Sequence, residues 1–258
     1  MERFAFGENW RKFSEQLQAQ DYFAAKKSLE ELIPNLRNKT FLDVGCGSGL
    51  FSVAASALGA GKVMGFDVDE ESVSTSKEVL EKVSQWDPDV KKGAVEFKVA
   101  SILNENIGRQ RYDIVYSWGV LHHTGDMYKA FDAIKNLVED RGVLVLTIYN
   151  RHFTSPIWKA VKYTYVKSPG FVKKVLIFLT ALYYAVIALI TSGKVPFRGA
   201  RGMNFYTDVV DWVGGYPYEY ASVSEVADFF EKNGFKLKTV IKTKGTTGCN
   251  QFVFDRKS

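Results

Sequence analysis

The run Asp43-Val44-Gly45-Cys46-Gly47-Ser48-Gly49 has the residue types and spacing of a loop that cradles a ligand with its main chain. It follows an apolar stretch and opens a pattern of small residues. Its glycines permit a tight turn and let a ligand lie against the backbone. A dinucleotide-binding loop needs its third glycine at position 50, which is Leu50; here it is Gly49. Asp43 stands two residues before Gly45. A carboxylate there repels phosphate and suits a ligand carrying positive charge. A second acid closes Gly65-Phe66-Asp67, placed to accept hydrogen bonds from two ribose hydroxyls. Ala100-Ser101-Ile102 follows a third apolar run and can line an adenine pocket. All three histidines follow apolar runs: His122 and His123 come after 114–118, and His152 after 143–149. No histidine or cysteine spacing suggests a metal site.

The elements that must position these residues alternate. Residues 1–36 read as helical, ending near Pro34. Strands are expected at 40–44, 63–67, 95–99, 114–118 and 143–149, with helices at 50–58, 70–83 and 127–137. This rhythm predicts a parallel sheet with helices on both faces and right-handed crossovers. It breaks at Asn150 and resumes at Ser222, where Ser222-x-x-Glu225 is a capping-box pattern and Gly234 stops the helix. Two last strands, 237–244 and 251–254, flank Gly245-Thr246-Thr247-Gly248, a hairpin signal. The organisation expected is an N-terminal helical cap (1–36), a main α/β domain (37–150 and 222–258) and an inserted cap (151–221). An insertion after the fifth strand sits over the carboxyl edge of the sheet, where open α/β folds bind ligands.

Charge is uneven. Between Arg151 and Thr207 lie nine basic residues and no acid, so the rest of the chain is negative within a net charge of +5. Such a segment attracts anions: an anionic substrate, an anionic membrane surface, or water alone at a solvated face. Within it, 175–190 is apolar or aromatic except for Thr180. Sixteen helical residues reach about 24 Å, short of the ~20 residues a bilayer core requires. A helix apolar all round is expected to be a buried cap or a homodimer contact, with a membrane-surface contact through 173–194 as the alternative. Cys46 and Cys249 are too few for a disulfide framework, and residues 1–10 lack a secretory pattern, so a cytoplasmic setting is expected, peripheral at the membrane if 173–194 touches lipid.

Asp43 to Gly49, Asp67 and Tyr112-Asp113-Ile114-Val115 resemble the motifs of class I S-adenosylmethionine-dependent methyltransferases. The resemblance covers about 38–150 and 222–255. It implies a Rossmann-like seven-stranded sheet whose last strand is antiparallel, and S-adenosylmethionine as cofactor with S-adenosylhomocysteine as product. It implies that Asp43, Gly45, Cys46, Gly47 and Gly49 face the methionine part. Asp67 and Val68 would hold the ribose, Ser101 and Ile102 would touch adenine, and Ser117 and Trp118 would lie along the cofactor. Many members carry Asp where this chain has Ser101. In related enzymes an N-terminal helix folds over the cofactor, which gives Phe6 and Trp10 a closing role.

Methyl transfer from a sulfonium is an in-line displacement, so the protein mainly positions the nucleophile. A hydroxyl acceptor must also lose a proton, and histidine is a natural base. His123 is the first candidate and His122 the second. The paired histidines resemble small-molecule O-methyltransferases, including those acting on sugars and in quinone biosynthesis. The run from Arg201 through Tyr216 to Glu219 resembles bacterial methyltransferases of cell-surface polysaccharide synthesis. With Asn150 and His152 it would form a polar pocket for an anionic or sugar-like acceptor, Arg201 holding a phosphate or carboxylate. The alternative acceptor is an isoprenoid quinone or lipid at a membrane. No nucleic-acid partner is expected: the fourth strand leads into Ser117-Trp118-Gly119-Val120, not an Asn/Asp-Pro-Pro-aromatic motif.

Overall fold

The computed structural model describes residues 4, 6–104, 110–193, 205–243 and 248–258; at 191, 192 and 205–208 only the backbone is described. In chain order the elements are α1 (Phe6–Gln16), α2 (Ala19–Leu32), β1 (Thr40–Val44), α3 (Leu50–Ala57), β2 (Lys62–Asp67), α4 (Glu70–Val83), β3 (Val95–Val99) and β4 (Tyr112–Trp118). There follow α5 (Met127–Lys135), β5 (Val138–Tyr149), α6 (Ser155–Lys167), α7 (Gly170–Ser192), α8 (Phe205–Gly214), α9 (Val223–Lys232), β6 (Phe235–Ile241) and β7 (Cys249–Arg256).

The strands form one sheet in the order β3-β2-β1-β4-β5-β7-β6. β1 to β5 are parallel, and β7 runs antiparallel to both β5 and β6. Alternation along β1 explains the two layers, because successive side chains point to opposite faces. Phe41 packs with Tyr22, Ala25, Val53 and Ala54 of α2 and α3. Leu42 and Val44 pack with Phe131 of α5 and with Val226 and Phe230 of α9. The capping box at Ser222 and Glu225 forms as expected. Chain order reverses between β1 and β4, so a crevice opens at their carboxyl ends.

Three local expectations change. The N-terminal helical stretch is two helices, parted at Leu17 and Gln18. β5 begins at Val138, five residues before the apolar run, because Val138 pairs with Tyr112 across an irregularity in the ladder. The tip of the final hairpin, 244–247, lies outside the described residues.

The largest correction concerns the apolar helix. α7 has 23 residues, and it is not a buried cap. It starts at Gly170, preceded by Pro169, and so adds five residues, Lys173 and Lys174 among them, before the apolar run. One face packs on α6 and α8, with Thr180 buried and Trp158 against Tyr183 and Tyr184. Those two helices have only 13 and 10 residues and cover one side. Phe178 and Ile190 on the other side are 66% and 79% exposed.

Candidate active site

A cavity of about 490 Å³ opens at the carboxyl ends of β1, β2 and β4. Of the glycine loop, Val44 and Gly45 line its floor, while Cys46, Gly47 and Gly49 are buried beneath. Gly45, Gly47 and Gly49 all take positive φ (74°, 53° and 71°), a conformation disfavoured by a Cβ. At Gly47 the reason is also steric: a Cβ would stand 2.7 Å from the Trp10 indole, which lies directly on this residue. Gly45 and Cys46 donate their N–H groups to the Phe66 carbonyl, tying the loop to the end of β2.

Asp67 lines the cavity and is held from both sides. One oxygen accepts from Gly47 N at 3.0 Å, the other from Asp69 N at 3.0 Å. Burial pushes its pKa up and these backbone donors pull it down. Val68, Ser101, Ile102 and Trp118 join it in the wall, and Ser101 accepts a hydrogen bond from Leu103 N. Phe6 and Trp10 of α1 form the opposite wall with Phe4. The start of α1 is fastened down, with Gly7 N donating to Asp69 and Asn9 donating to Asp211 of α8.

Other residues of the expected cofactor set serve the loop from behind. Asp43 is 3% exposed, accepts from Ser52 Oγ at 2.6 Å, and does not line the cavity. Ser117 is buried and donates to the Val44 carbonyl, locking β4 to β1. Cys46 is buried; burial first, then Asp43 and Asp67, push its thiol well above its ordinary pKa.

The two histidines separate. Both sit in the short 3₁₀ turn Leu121–His123 beyond β4. His122 is 1% exposed, does not line the cavity, and packs its ring 4.0 Å from Tyr149 and 4.5 Å from His123. Its nitrogens make no hydrogen bond of ordinary geometry, only a weaker interaction with the Thr147 backbone. Burial holds its pKa well below the usual range. His123 does line the cavity. Its Nδ1 lies 2.7 Å from the Pro217 carbonyl. A carbonyl only accepts, so Nδ1 carries the proton and Nε2 holds the lone pair. Burial, and then the Lys162 charge, push its pKa down to about 3, so the ring is neutral. Its Cε1–Nε2 edge runs along Gly215, where a Cβ would come within 2.7 Å of Cε1.

The residues expected to read a polar acceptor do not converge. Tyr216 lines the cavity. Glu219 instead accepts from Gly125 N and Met127 N at the start of α5. Asn150 bonds Asn250, and His152 pairs with Thr154 at the head of α6. Arg201 lies outside the described residues.

Tyr149, Asp211 and Val120 are among the wall residues that were not expected from the sequence. Behind them sits Lys162, fully buried in α6. Its ammonium donates to the Trp212 carbonyl and lies 4.4, 5.0 and 5.5 Å from the ring centres of Trp212, Tyr218 and Tyr149. Burial pushes its pKa down to about 7, against the pull of Cys249 and Asp211. A readable signal existed: Ser155, Trp158, Lys162 and Tyr165 fall on one helical stripe.

A family model described as a methyltransferase domain matches residues 15–188, ending inside α7. The chain is 29% identical over 140 residues to a ubiquinone biosynthesis O-methyltransferase of Nitrosomonas europaea, covering 54% of this chain and 55% of that protein. It is 32% identical over 124 residues to a ribosomal protein L11 methyltransferase of Fusobacterium nucleatum, covering 47% and 35%. It thus spans about half the length, or less, of these relatives. The magnesium protoporphyrin IX methyltransferase of Synechocystis PCC 6803, solved with bound S-adenosylhomocysteine, superposes with a TM-score of 0.57 at 15% identity over 97% of this chain and 93% of that one.

The cavity fits S-adenosylmethionine. Gly45 leaves backbone open to the cavity, Asp67 offers an acceptor, and the walls combine Asp67, Asp69 and Asp211 with Phe6, Trp10, Trp118 and Tyr149. Carboxylates and ring faces both favour a cation over a phosphate. The chain belongs to the methyltransferase-domain family, and its fold is that of S-adenosylmethionine-dependent methyltransferases.

Proposed function

We propose that the chain transfers the methyl group to a hydroxyl oxygen of a small acceptor with an aromatic or isoprenoid body, and that His123 takes the proton. The observation that carries this is His123, a cavity-wall imidazole whose tautomer is set by the Pro217 carbonyl. When bound, S-adenosylmethionine supplies a methyl already activated on sulfur. Asp67 and the Gly45 turn hold the cofactor, and Phe6 and Trp10 shield it from water. With the cofactor in place, His123 Nε2 would be the group to take up the acceptor's hydroxyl proton while the methyl passes from sulfur to oxygen and the S–C bond breaks to leave the thioether, a contribution typically of about 10²- to 10⁴-fold.

The walls support the acceptor class. Phe4 and Tyr216, which are not among the rings assigned to the cofactor, give apolar faces, while Asn150, His152 and Glu219 are engaged elsewhere. A sugar-like acceptor would find few partners there, and Lys162 is sealed behind rings. The likeness to a ubiquinone O-methyltransferase agrees with this choice. The test is methyl incorporation from labelled cofactor into a panel of catechols, hydroquinones and nucleotide sugars, with His123→Asn alongside wild type. Turnover of phenolic acceptors, lost in the variant, is expected. Turnover of nucleotide sugars alone overturns the acceptor class, and full activity of the variant overturns the base.

A further inference from the structure

We infer that α7 is an interfacial helix that docks the enzyme on the surface of an anionic lipid bilayer. The inference does not rest on the acceptor proposed above. It starts from two faces of one helix. Toward the protein, Thr180 is buried and Tyr184 meets Trp158 and Trp212. Toward solvent, Phe171, Val175, Phe178, Leu182, Val186 and Leu189 are all 47–72% exposed. Their spacing of three, four and seven places them on one stripe. Among the described residues nothing covers it. A stripe this long is far more than the scattered apolar residues of an ordinary surface.

Length and composition alone would let α7 cross a membrane. The packing argues otherwise. α6 and α8 occupy one face along the helix, so only the other is available to lipid. A helix in that position lies in the plane of the interface, its apolar side sunk about 5–10 Å to the acyl boundary.

Charge decides between lipid and a second copy of the chain. Lys174 is exposed and stands one turn from Phe178, on the same side as the stripe. Lys159 and Lys167 of α6 are exposed nearby in sequence, and 151–207 contains no acid. A twofold contact through this face would bring two such basic segments together. An anionic headgroup layer complements them, and the long lysine stems let the ammonium groups reach it while the stripe sinks. Phe153 and Ile157, 81% and 61% exposed, add apolar surface at the head of α6.

The test is vesicle co-sedimentation of the full chain, without cofactor or acceptor, so that failure leaves the methyl-transfer proposal untouched. Vesicles of phosphatidylcholine are compared with and without phosphatidylglycerol, at low and high salt. The expected result is strong binding to the anionic vesicles at low salt, weakened by salt. Lys174→Glu is expected to lower binding at least about fivefold, as each basic residue near such a surface contributes about that factor. The pair Leu182→Glu and Val186→Glu, both solvent-exposed, is expected to lower binding at least about tenfold with unchanged circular dichroism and cofactor affinity. No binding of wild type at low salt overturns the inference, as does equal binding by the double variant. A stable wild-type dimer in sedimentation velocity that is lost in the double variant, with no vesicle binding, overturns it in favour of a second copy.

Discussion

Replacing His123 with Asn probes both the chemistry and the burial of the proposed base. The asparagine amide can still donate to the Pro217 carbonyl, so the turn at Val120–Thr124 keeps its anchor. What is lost is the proton acceptor. Turnover is expected to fall about 10²- to 10⁴-fold, which corresponds to about 2.7–5.5 kcal/mol of barrier. Cofactor affinity is expected to stay within about twofold, because Asp67 and the glycine loop are untouched. The pH dependence gives an independent reading. In the unfolded chain this imidazole takes up a proton as pH falls below about 6.5; in the folded protein burial delays that to about 3. The unfolded state therefore binds more protons across this window, and acid destabilises the fold. The full interval corresponds to at most about 5 kcal/mol, less where cavity water softens the burial. Denaturant unfolding of wild type and His123→Asn between about pH 7 and pH 4 measures the difference and cancels what His122 contributes to both. The variant is expected to lose markedly less stability than wild type as acid is added. Equal losses would show that His123 is not held neutral by burial. Undiminished turnover in the variant would show that it is not the base.

Four further outcomes follow from the same geometry. Asp67→Asn places an amide N–H against one of two backbone donors and removes charge, so S-adenosylhomocysteine affinity by calorimetry is expected to fall about 10- to 100-fold. Gly45→Ala forces a Cβ into Val120 at φ 74°, and is expected to lower stability by about 2–4 kcal/mol in denaturant titration and to weaken cofactor binding. Lys162→Met removes a buried charge. Its folded pKa of about 7 lies below its ordinary value, so wild-type stability rises with pH above about 7, and melting curves are expected to show that rise flattened in the variant. Trp10→Ala uncovers Gly47 and is expected to speed S-adenosylhomocysteine release about tenfold in stopped-flow fluorescence.

Much of this was legible in the residues. The loop from Asp43 to Gly49, with Asp67 one strand later, identifies β1, its turn and β2 because glycine spacing reports backbone conformation directly. The Ser222–Glu225 box is equally local, its partners three residues apart. Glu219 was not legible as a cap, because the amide it serves is Met127, 92 residues away in the chain. Apolar composition told that α7 is helical but not which side is covered, since that depends on the lengths of α6 and α8. Lys162 counted as surface charge until its stripe was considered; a lysine among aromatics at helical spacing is better taken as part of the packed face.

The fastening of α1 bears on turnover. Gly7 is tied to Asp69, whose own N–H donates to Asp67; Asn9 is tied to Asp211 on the insertion, and Trp10 rests on Gly47. One helical turn thus latches two sides of the cavity at once. With the cofactor seated there as proposed, its exchange is expected to wait on the fraying of this helix, an event slower than side-chain motion. The spent thioether is then expected to stay after each transfer and compete with fresh donor, so that the ratio of the two in the surroundings would throttle turnover.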